Sequence, residues 1–252
     1  MKLTVLGCGT STGVPVIGCT CLVCASPEPK NKRTRSSAII EAGGKNLLID
    51  TSTDLRQQAI SNGITRIDAV LFTHPHADHI HGIDELRSFN MVQAGHIPCF
   101  GSPETIKRVK LLFEYIFVDN EYNGWKPDLT ITPIDGPFKA CGIDVEPVPV
   151  LHGASEILGF RINEIAYVTD CSSMPLASIE ILKGVKVLVI GALRHKPHPT
   201  HFTVKEAIDV ALKVSPERTI LTHLSHSIDH LRDSATLPDN IEFAYDGMTV
   251  EI

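Results

Sequence analysis

The side chains able to do chemistry in this chain are concentrated in two short stretches. His74, His76, Asp78 and His79 lie within six residues, in the order H-P-H-A-D-H. Imidazole and carboxylate together suit a transition-metal ion such as Zn, Mn or Fe rather than Mg or Ca. Four such side chains on a tight turn can converge on two adjacent ions. The second stretch is made of thiols. Cys19, Cys21 and Cys24 stand in IGCTCLVCASPEP with C-x-C-x-x-C spacing. Three thiolates on a turn-rich segment suit a tetrahedral zinc site that still lacks one ligand; the bland alternative is a reduced, cysteine-rich surface loop. The seven cysteines are an odd number and MKLTVLGCGTSTG does not read as an export signal, so no disulfide framework is expected. Cys8, Cys99, Cys141 and Cys171 each stand alone in or beside an apolar stretch and are expected as small buried core residues.

The elements that must position these residues are legible from the apolar pattern. IDAVLF, directly before the histidine cluster, is a short apolar run with β-branched residues and reads as a buried strand. IHGIDELRSFNMV follows, with Ile80, Ile83, Leu86 and Phe89 at helical spacing. The cluster is therefore placed on the turn from a strand into a helix. SSAIIEA and KNLLID predict paired strands joined at Gly43–Gly44, and VKVLVIGA predicts another buried strand. IKRVKLLFEYIF predicts a helix, HPTHFTVKEAIDVALKV an amphipathic helix through Val204, Ile208 and Leu212, and FAYDGMTVEI a closing strand pair. LTVLGCGTSTG opens with a strand whose glycines superficially match a dinucleotide loop, but Pro15 and the cysteine loop follow where a helix would be needed.

Composition sets the class. The 252 residues are 43% hydrophobic and 21% charged, ordinary for a globular enzyme and wrong for a disordered chain. No run approaches the roughly 20 apolar residues of a membrane helix. With 23 Lys+Arg against 29 Asp+Glu, the net charge of −6 counts against broad, charge-driven nucleic-acid binding. A cytoplasmic location is expected, and no linker, repeat or low-complexity segment divides the chain.

THPHADH resembles the T-H-x-H-x-D-H motif of the metallo-β-lactamase fold superfamily, and further matches follow through the chain in the expected order. NLLID ends in Asp50, VEPVPVLHG carries His152, IAYVTD ends in Asp170 and TILTH ends in His223. Each follows an apolar, β-rich run, where open sheets place their sites. The resemblance implies that one metal takes His74, His76 and His152. A second would take Asp78, His79 and His223, with Asp170 shared between them and Asp50 supporting the site. It implies a hydroxide held between two divalent ions, Zn or Mn, as the nucleophile. It also implies an α/β four-layer αβ/βα sandwich, with residues 1–252 as one domain and the metals along one edge.

Three features narrow the reaction. H-F-T at His201–Thr203 resembles the H-x-T motif of ribonuclease Z and related phosphodiesterases. There the histidine protonates the leaving oxygen or stabilises the transition state, so His201 and Asp78 are the expected catalytic residues. His195 and His198 share that loop and are expected as exposed loop residues. Second, His226 in LTHLSH is the candidate fourth ligand of the thiol cluster. C-x-C-x-x-C with T-H-x-S-H and the late D-G-M at Asp246–Met248 resembles the phosphodiesterase branch that includes phosphoribosyl 1,2-cyclic phosphate phosphodiesterase. In that branch Cys19, Cys21, Cys24 and His226, on a loop at about 18–26, would hold a structural zinc. Third, the chain lacks the long basic, glycine-rich insertion with which ribonuclease Z holds tRNA.

The expectation is a dinuclear metal-dependent phosphodiesterase acting on a small phosphodiester, with a cyclic ribose phosphate as the candidate the branch suggests. A metallo-hydrolase of a lactone or thioester, a ribonuclease Z-like enzyme and a non-catalytic metal-binding protein are the alternatives. By analogy with the branch a homodimer is expected; a membrane or nucleic-acid partner is not. The sequence departs from the pattern after Asp50, where T-S-T-D follows instead of a glycine. Residues 87–135 carry nothing diagnostic of a ribose phosphate and are expected to supply a mobile cover near the metals. Arg56, Arg87, Arg194 and Lys196 are candidate phosphate contacts, although single basic residues are more often plain exposed charges.

Overall fold

Several strands are apolar on both faces, so each sheet needs a cover on both sides, and the fold supplies it in four layers. The computed structural model describes residues 1–118 and 125–252. The first half of the chain builds β1 (Lys2–Gly7), β2 (Ser37–Ala42), β3 (Lys45–Ile49), β4 (Ala69–Leu71), β5 (Ile97–Gly101) and β6 (Leu129–Pro133). The second builds β7 (Phe138–Ala140), β8 (Ile143–His152), β9 (Ser155–Ile162), β10 (Ile165–Val168), β11 (Val187–Gly191), β12 (Arg218–Thr222) and β13 (Ile241–Phe243). The last strand, β14 (Met248–Glu251), returns to pair antiparallel with β1. Two seven-stranded sheets result, in the orders β14-β1-β2-β3-β4-β5-β6 and β13-β12-β11-β10-β9-β8-β7.

The period of two along each strand divides the core. In β11, Val187 and Val189 pack between the sheets with Leu3, Val5, Ile40 and Tyr167, whereas Leu188 and Ile190 face outward. The nine helices among the described residues are α1 (Leu22–Ala25), α2 (Leu55–Ser61), α3 (Ala77–Ile80), α4 (Leu86–Gln93), α5 (Pro103–Leu112), α6 (Glu114–Phe117), α7 (Leu176–Leu182), α8 (Val204–Val214) and α9 (His230–Ser234). Leu55, Leu86, Phe89 and Val109, from α2, α4 and α5, cover the outer face of the first sheet. Ile179, Leu182, Ala207 and Val210, from α7 and α8, cover the second. This is the expected αβ/βα sandwich. Among the described residues no helix is long and apolar enough to cross a membrane.

Four expectations are corrected. The helix after the histidine cluster is not continuous: α3 ends at Ile80, a 3-10 turn spans Ile83–Glu85 and α4 begins at Leu86. Gly82 sits at the break, where a Cβ would lie 2.0 Å from the carbonyl oxygen of Ser52. The chain just after Asp50 thus comes close enough to position 82 to leave no room there for a side chain. The four apolar residues still bury, because the turn preserves their common side. IKRVKLLFEYIF is likewise split at Phe113 into α5 and α6, and α5 starts earlier, at Pro103, capped by the Ser102 hydroxyl. FAYDGMTVEI is not a strand pair. β13 joins the second sheet and β14 the first, and Asp246 between them is tied to the Cys8 and Thr34 backbone N–H groups. Cys141 is exposed on the turn from β7 to β8, whereas Cys8, Cys99 and Cys171 are buried as expected. Of the expected cover over residues 87–135, positions 119–124 lie outside the described residues.

Candidate metal centre and active site

The carboxyl ends of strands from both sheets meet along one edge, and the chain leaves several of them in an unusual way. Asp50 after β3, Asp170 after β10 and His223 after β12 have φ of 61°, 54° and 58°. Non-glycine residues seldom adopt this left-handed region, and where they do the surroundings must hold them there. The turn swings each side chain off its strand and into the gap between the sheets. His74 to His79 enter the same gap after β4, and His152 does so at the end of β8.

Hydrogen bonds orient the ring nitrogens. Asp50 is fully buried and accepts from the Thr73 backbone N–H (2.8 Å), the Thr73 hydroxyl (2.7 Å) and His79 Nδ1 (2.7 Å). Because the Thr73 hydroxyl is spent on Asp50, its oxygen accepts from His74 Nδ1 at 3.0 Å. His152 Nδ1 donates to the Asp170 backbone carbonyl at 2.7 Å. In each ring Nε2 is the nitrogen left for a ligand, the usual second layer of support around a bound metal. The His223 ring is held between the Thr10 and Ser36 hydroxyls, each 3.1 Å from a ring nitrogen.

Ligand-type atoms fall into three overlapping groups: Asp78, His79, Asp170 and His223; His74, His76 and Asp170; and His152, Asp170 and His201. Asp170 belongs to all three, the place of a shared carboxylate. His152 stands with Asp170 and His201, its ring centroid 5.6 Å from His74 and 5.1 Å from His76. Two buried atoms test whether a cation fits. Asp78 Oδ2 and His79 Nε2 lie 3.3 Å apart, and neither has a hydrogen-bond partner among the described residues. A carboxylate oxygen and an imidazole nitrogen left facing each other in a dry interior would be costly without a positive centre between them.

The electrostatics agree. Burial opposes charging of His79, but the Asp170 and Asp50 carboxylates outweigh it and hold the ring well above the usual imidazole range. Burial would raise Asp170, yet His223 and His79 draw it well below the ordinary carboxylate value. Burial, with smaller contributions from neighbouring rings, lowers His74 and His223. Carboxylates at Asp78 and Asp170 beside imidazoles held neutral at His74 and His223 favour a divalent ion, which at His79 would take the place of the Nε2 proton.

His201 stands at the opening of this cluster. Its side chain is 12% exposed and lies with Nδ1 3.9 Å from Asp170 Oδ2. Its ring stacks on His223 at 5.0 Å and meets His152 edge-on at 4.8 Å. Burial pushes its pKa down to about 3 against the pull of Asp170. Thr203, two residues on, caps α8: its oxygen accepts from Glu206 N–H, while its own N–H and hydroxyl donate to the Glu206 carboxylate.

The thiol cluster is a separate centre. His226 Nδ1 lies 3.4, 3.5 and 3.6 Å from the sulfurs of Cys19, Cys21 and Cys24. With Zn–S near 2.3 Å and Zn–N near 2.0 Å, a tetrahedral zinc sets nitrogen and sulfur about 3.5 Å apart. Arg33 is buried and fixes the loop bearing His226, donating to the carbonyls of Ser225 (2.9 Å) and Ile228 (2.8 Å) on either side of it.

The remaining candidates belong to neither ligand cluster. Arg87 pairs with Asp84 at 3.2 Å, His195 faces Asp233 at 3.5 Å, and Arg56 and Lys196 are exposed. Arg194 donates to carbonyls of its own loop. Thr10, Ser36 and Thr73 carry no sequence signal beyond being small hydroxyl residues, and only the fold brings them to the rings.

Comparison with known proteins places the chain in a family. Residues 45–224 match the family model of the β-lactamase superfamily domain. The crystal structure of a diphosphatase from the PhnP family superposes with a TM-score of 0.93 at 41% identity, covering 100% of this chain and 97% of that one. An octanoyltransferase of Porphyromonas gingivalis is 40% identical over 98% of this chain, which spans about half (51%) of that relative's length. A ribonuclease Z of a Mycobacterium species is 26% identical, with 94% of this chain and 96% of the relative covered.

Proposed function

The chain belongs to the β-lactamase superfamily and within it to the PhnP family, and from that premise we propose that this hydrolase cleaves a phosphorus–oxygen bond in a small phosphodiester or diphosphate. His74, His76 and His152 would hold one divalent ion, and Asp78, His79 and His223 a second, with Asp170 shared. When bound, such a pair supplies an activated water and neutralises charge on the phosphoryl oxygens. The protein's part is positioning. Asp50 and Thr73 fix His79 and His74, the Asp170 backbone carbonyl fixes His152, and the strand-end turns set Asp170 between the two sides.

The observation that carries the reading is His201, a ring N–H donor stacked beside the candidate ligands at the mouth of the cluster. An alkoxide is a poor leaving group, and a fixed N–H donor placed at its oxygen contributes roughly 10²–10³-fold. Lactones and thioesters leave more readily and depend less on such a group. The diphosphatase relative, matched over 97% of its length, supports a small phosphoryl substrate. The net charge of −6 supports it over RNA. Acyl transfer is not carried over from the octanoyltransferase, of which only half is matched.

Protein loaded with Mn or Zn should hydrolyse bis-p-nitrophenyl phosphate, and on a ribose cyclic phosphate, whose leaving group is an alkoxide, His201→Ala should lower kcat by roughly 10²–10³-fold at unchanged metal content. Turnover of a lactone that survives the substitution, with no phosphodiester turnover in the parent, would overturn the reading.

A further inference from the structure

The loop that carries His201 brings a second imidazole to the same opening, and neither ligand cluster uses it. His198 is half-buried, with its ring centroid 5.0 Å from that of His201. It stands one ring further out in a row that runs from His152 through His201 toward the surface. Thr200 fixes its tautomer. The Thr200 backbone N–H donates to His198 Nδ1 at 3.3 Å, and the Thr200 hydroxyl lies 3.2 Å from the same nitrogen. An imidazole that accepts at Nδ1 carries its proton on Nε2, so one ring N–H remains to donate to a ligand.

The loop is braced from two sides. Arg194 donates from Nε to the Lys196 carbonyl (3.0 Å) and from Nη2 to the Pro197 carbonyl (2.8 Å), which fixes a guanidinium charge at the base of the loop. Thr200 packs against Gly153, where a Cβ would come within 3.1 Å of the Thr200 methyl group at a φ of +61°. That glycine joins His152 directly to the loop of His198, so the donor keeps its place relative to the metal-ligand edge.

We propose that His198 is a specificity-determining residue that binds the phosphate next to the scissile linkage in a diphosphate-type substrate, an inference that rests on the phosphoryl reading above. A fixed N–H donor with a cation behind it, one ring beyond the group assigned to the leaving oxygen, selects a second anionic group there. A substrate with a single phosphate has nothing to offer it.

Two variants separate binding from loop bracing. His198→Asn keeps an acceptor near the Nδ1 position for Thr200 and removes the Nε2 donor, whereas His198→Gln restores an amide N–H near the Nε2 position. The metal-loaded full chain is titrated calorimetrically with methylenediphosphonate and with methylphosphonate. His198→Asn should lower the ratio of the two affinities about tenfold, and His198→Gln should return most of it. With a dinucleoside diphosphate as substrate, His198→Asn should raise KM and leave kcat nearly unchanged. An affinity ratio unaltered in His198→Asn, or equally low in both variants, would overturn the proposal. Absence of phosphodiester turnover by the parent protein would instead count against the proposed reaction, and the titration would still decide the role of His198.

Discussion

The thiol cluster and the histidine–aspartate cluster are built on opposite plans. Cys19, Cys21 and Cys24 come from one loop with a short helix, and they meet a single outside residue, His226, at nearly equal distances. Four donors for one tetrahedral ion leave no position free, which is how zinc is held for structure. The other cluster draws on five strand ends from two sheets, spreads its donors over three groups around Asp170, and remains open where His76 is exposed and His201 stands. One arrangement saturates its ion; the other keeps room for a substrate. The two are three residues apart in sequence at His223 and His226, so the same loop serves both.

Selective metal removal is the most severe test of that contrast. Dialysis against a chelator should empty the open cluster first and abolish turnover, while one zinc per chain stays with the thiolates in elemental analysis. Simultaneous loss of all metal would remove the distinction. Cys21→Ser reverses the experiment: the structural zinc is lost and stability falls by roughly 3 kcal/mol, about 6–12 °C in Tm, because binding to such a site is itself folding energy. Calorimetry that finds Tm unchanged would reduce the thiol cluster to a surface loop.

Within the open cluster, Asp50→Asn probes the support beneath the ligands. Asparagine keeps the shape and one acceptor, but its amide nitrogen cannot accept from both the Thr73 hydroxyl and His79 Nδ1 as the carboxylate does. The charge that fixes the His79 proton is lost, and affinity for Mn, read by competition with a metal indicator, should drop about 10–100-fold. Unchanged affinity would show that His79 needs no partner at Nδ1.

What the sequence disclosed follows from range. His74 to His79 are neighbours in the chain, so their joint chemistry was legible at once, as was the C-x-C-x-x-C loop. Asp50, His152, Asp170 and His223 were legible as strand ends because each follows an apolar run, but their convergence needed the family resemblance. Nothing in the sequence marks their left-handed turns, since no glycine stands at Asp50, Asp170 or His223; the strain is imposed by tertiary contacts such as those of Ser36 and Thr73. The same long-range control misled the strand pairing of FAYDGMTVEI, where a local hairpin pattern gives way to two sheets that each need an edge partner. Cys141 was misplaced because an apolar neighbourhood does not reveal that the residue itself sits on a turn.

Thr203 is the finest discriminator, because the sequence pairs it with His201 and the structure separates their work. Its hydroxyl and backbone N–H both donate to Glu206, and its oxygen also accepts the Glu206 N–H, so its polar groups are committed to capping α8. Thr203→Ala should therefore cost about 1 kcal/mol of stability, roughly 2–4 °C in Tm. Thr203→Ser should recover most of it. Since the cap holds the start of α8 two residues from His201, kcat should fall far less than in His201→Ala. A loss of turnover as large as that of His201→Ala, with Tm unchanged, would place the hydroxyl in the reaction itself. It would also extend the open cluster one residue further along the loop than its ring contacts indicate.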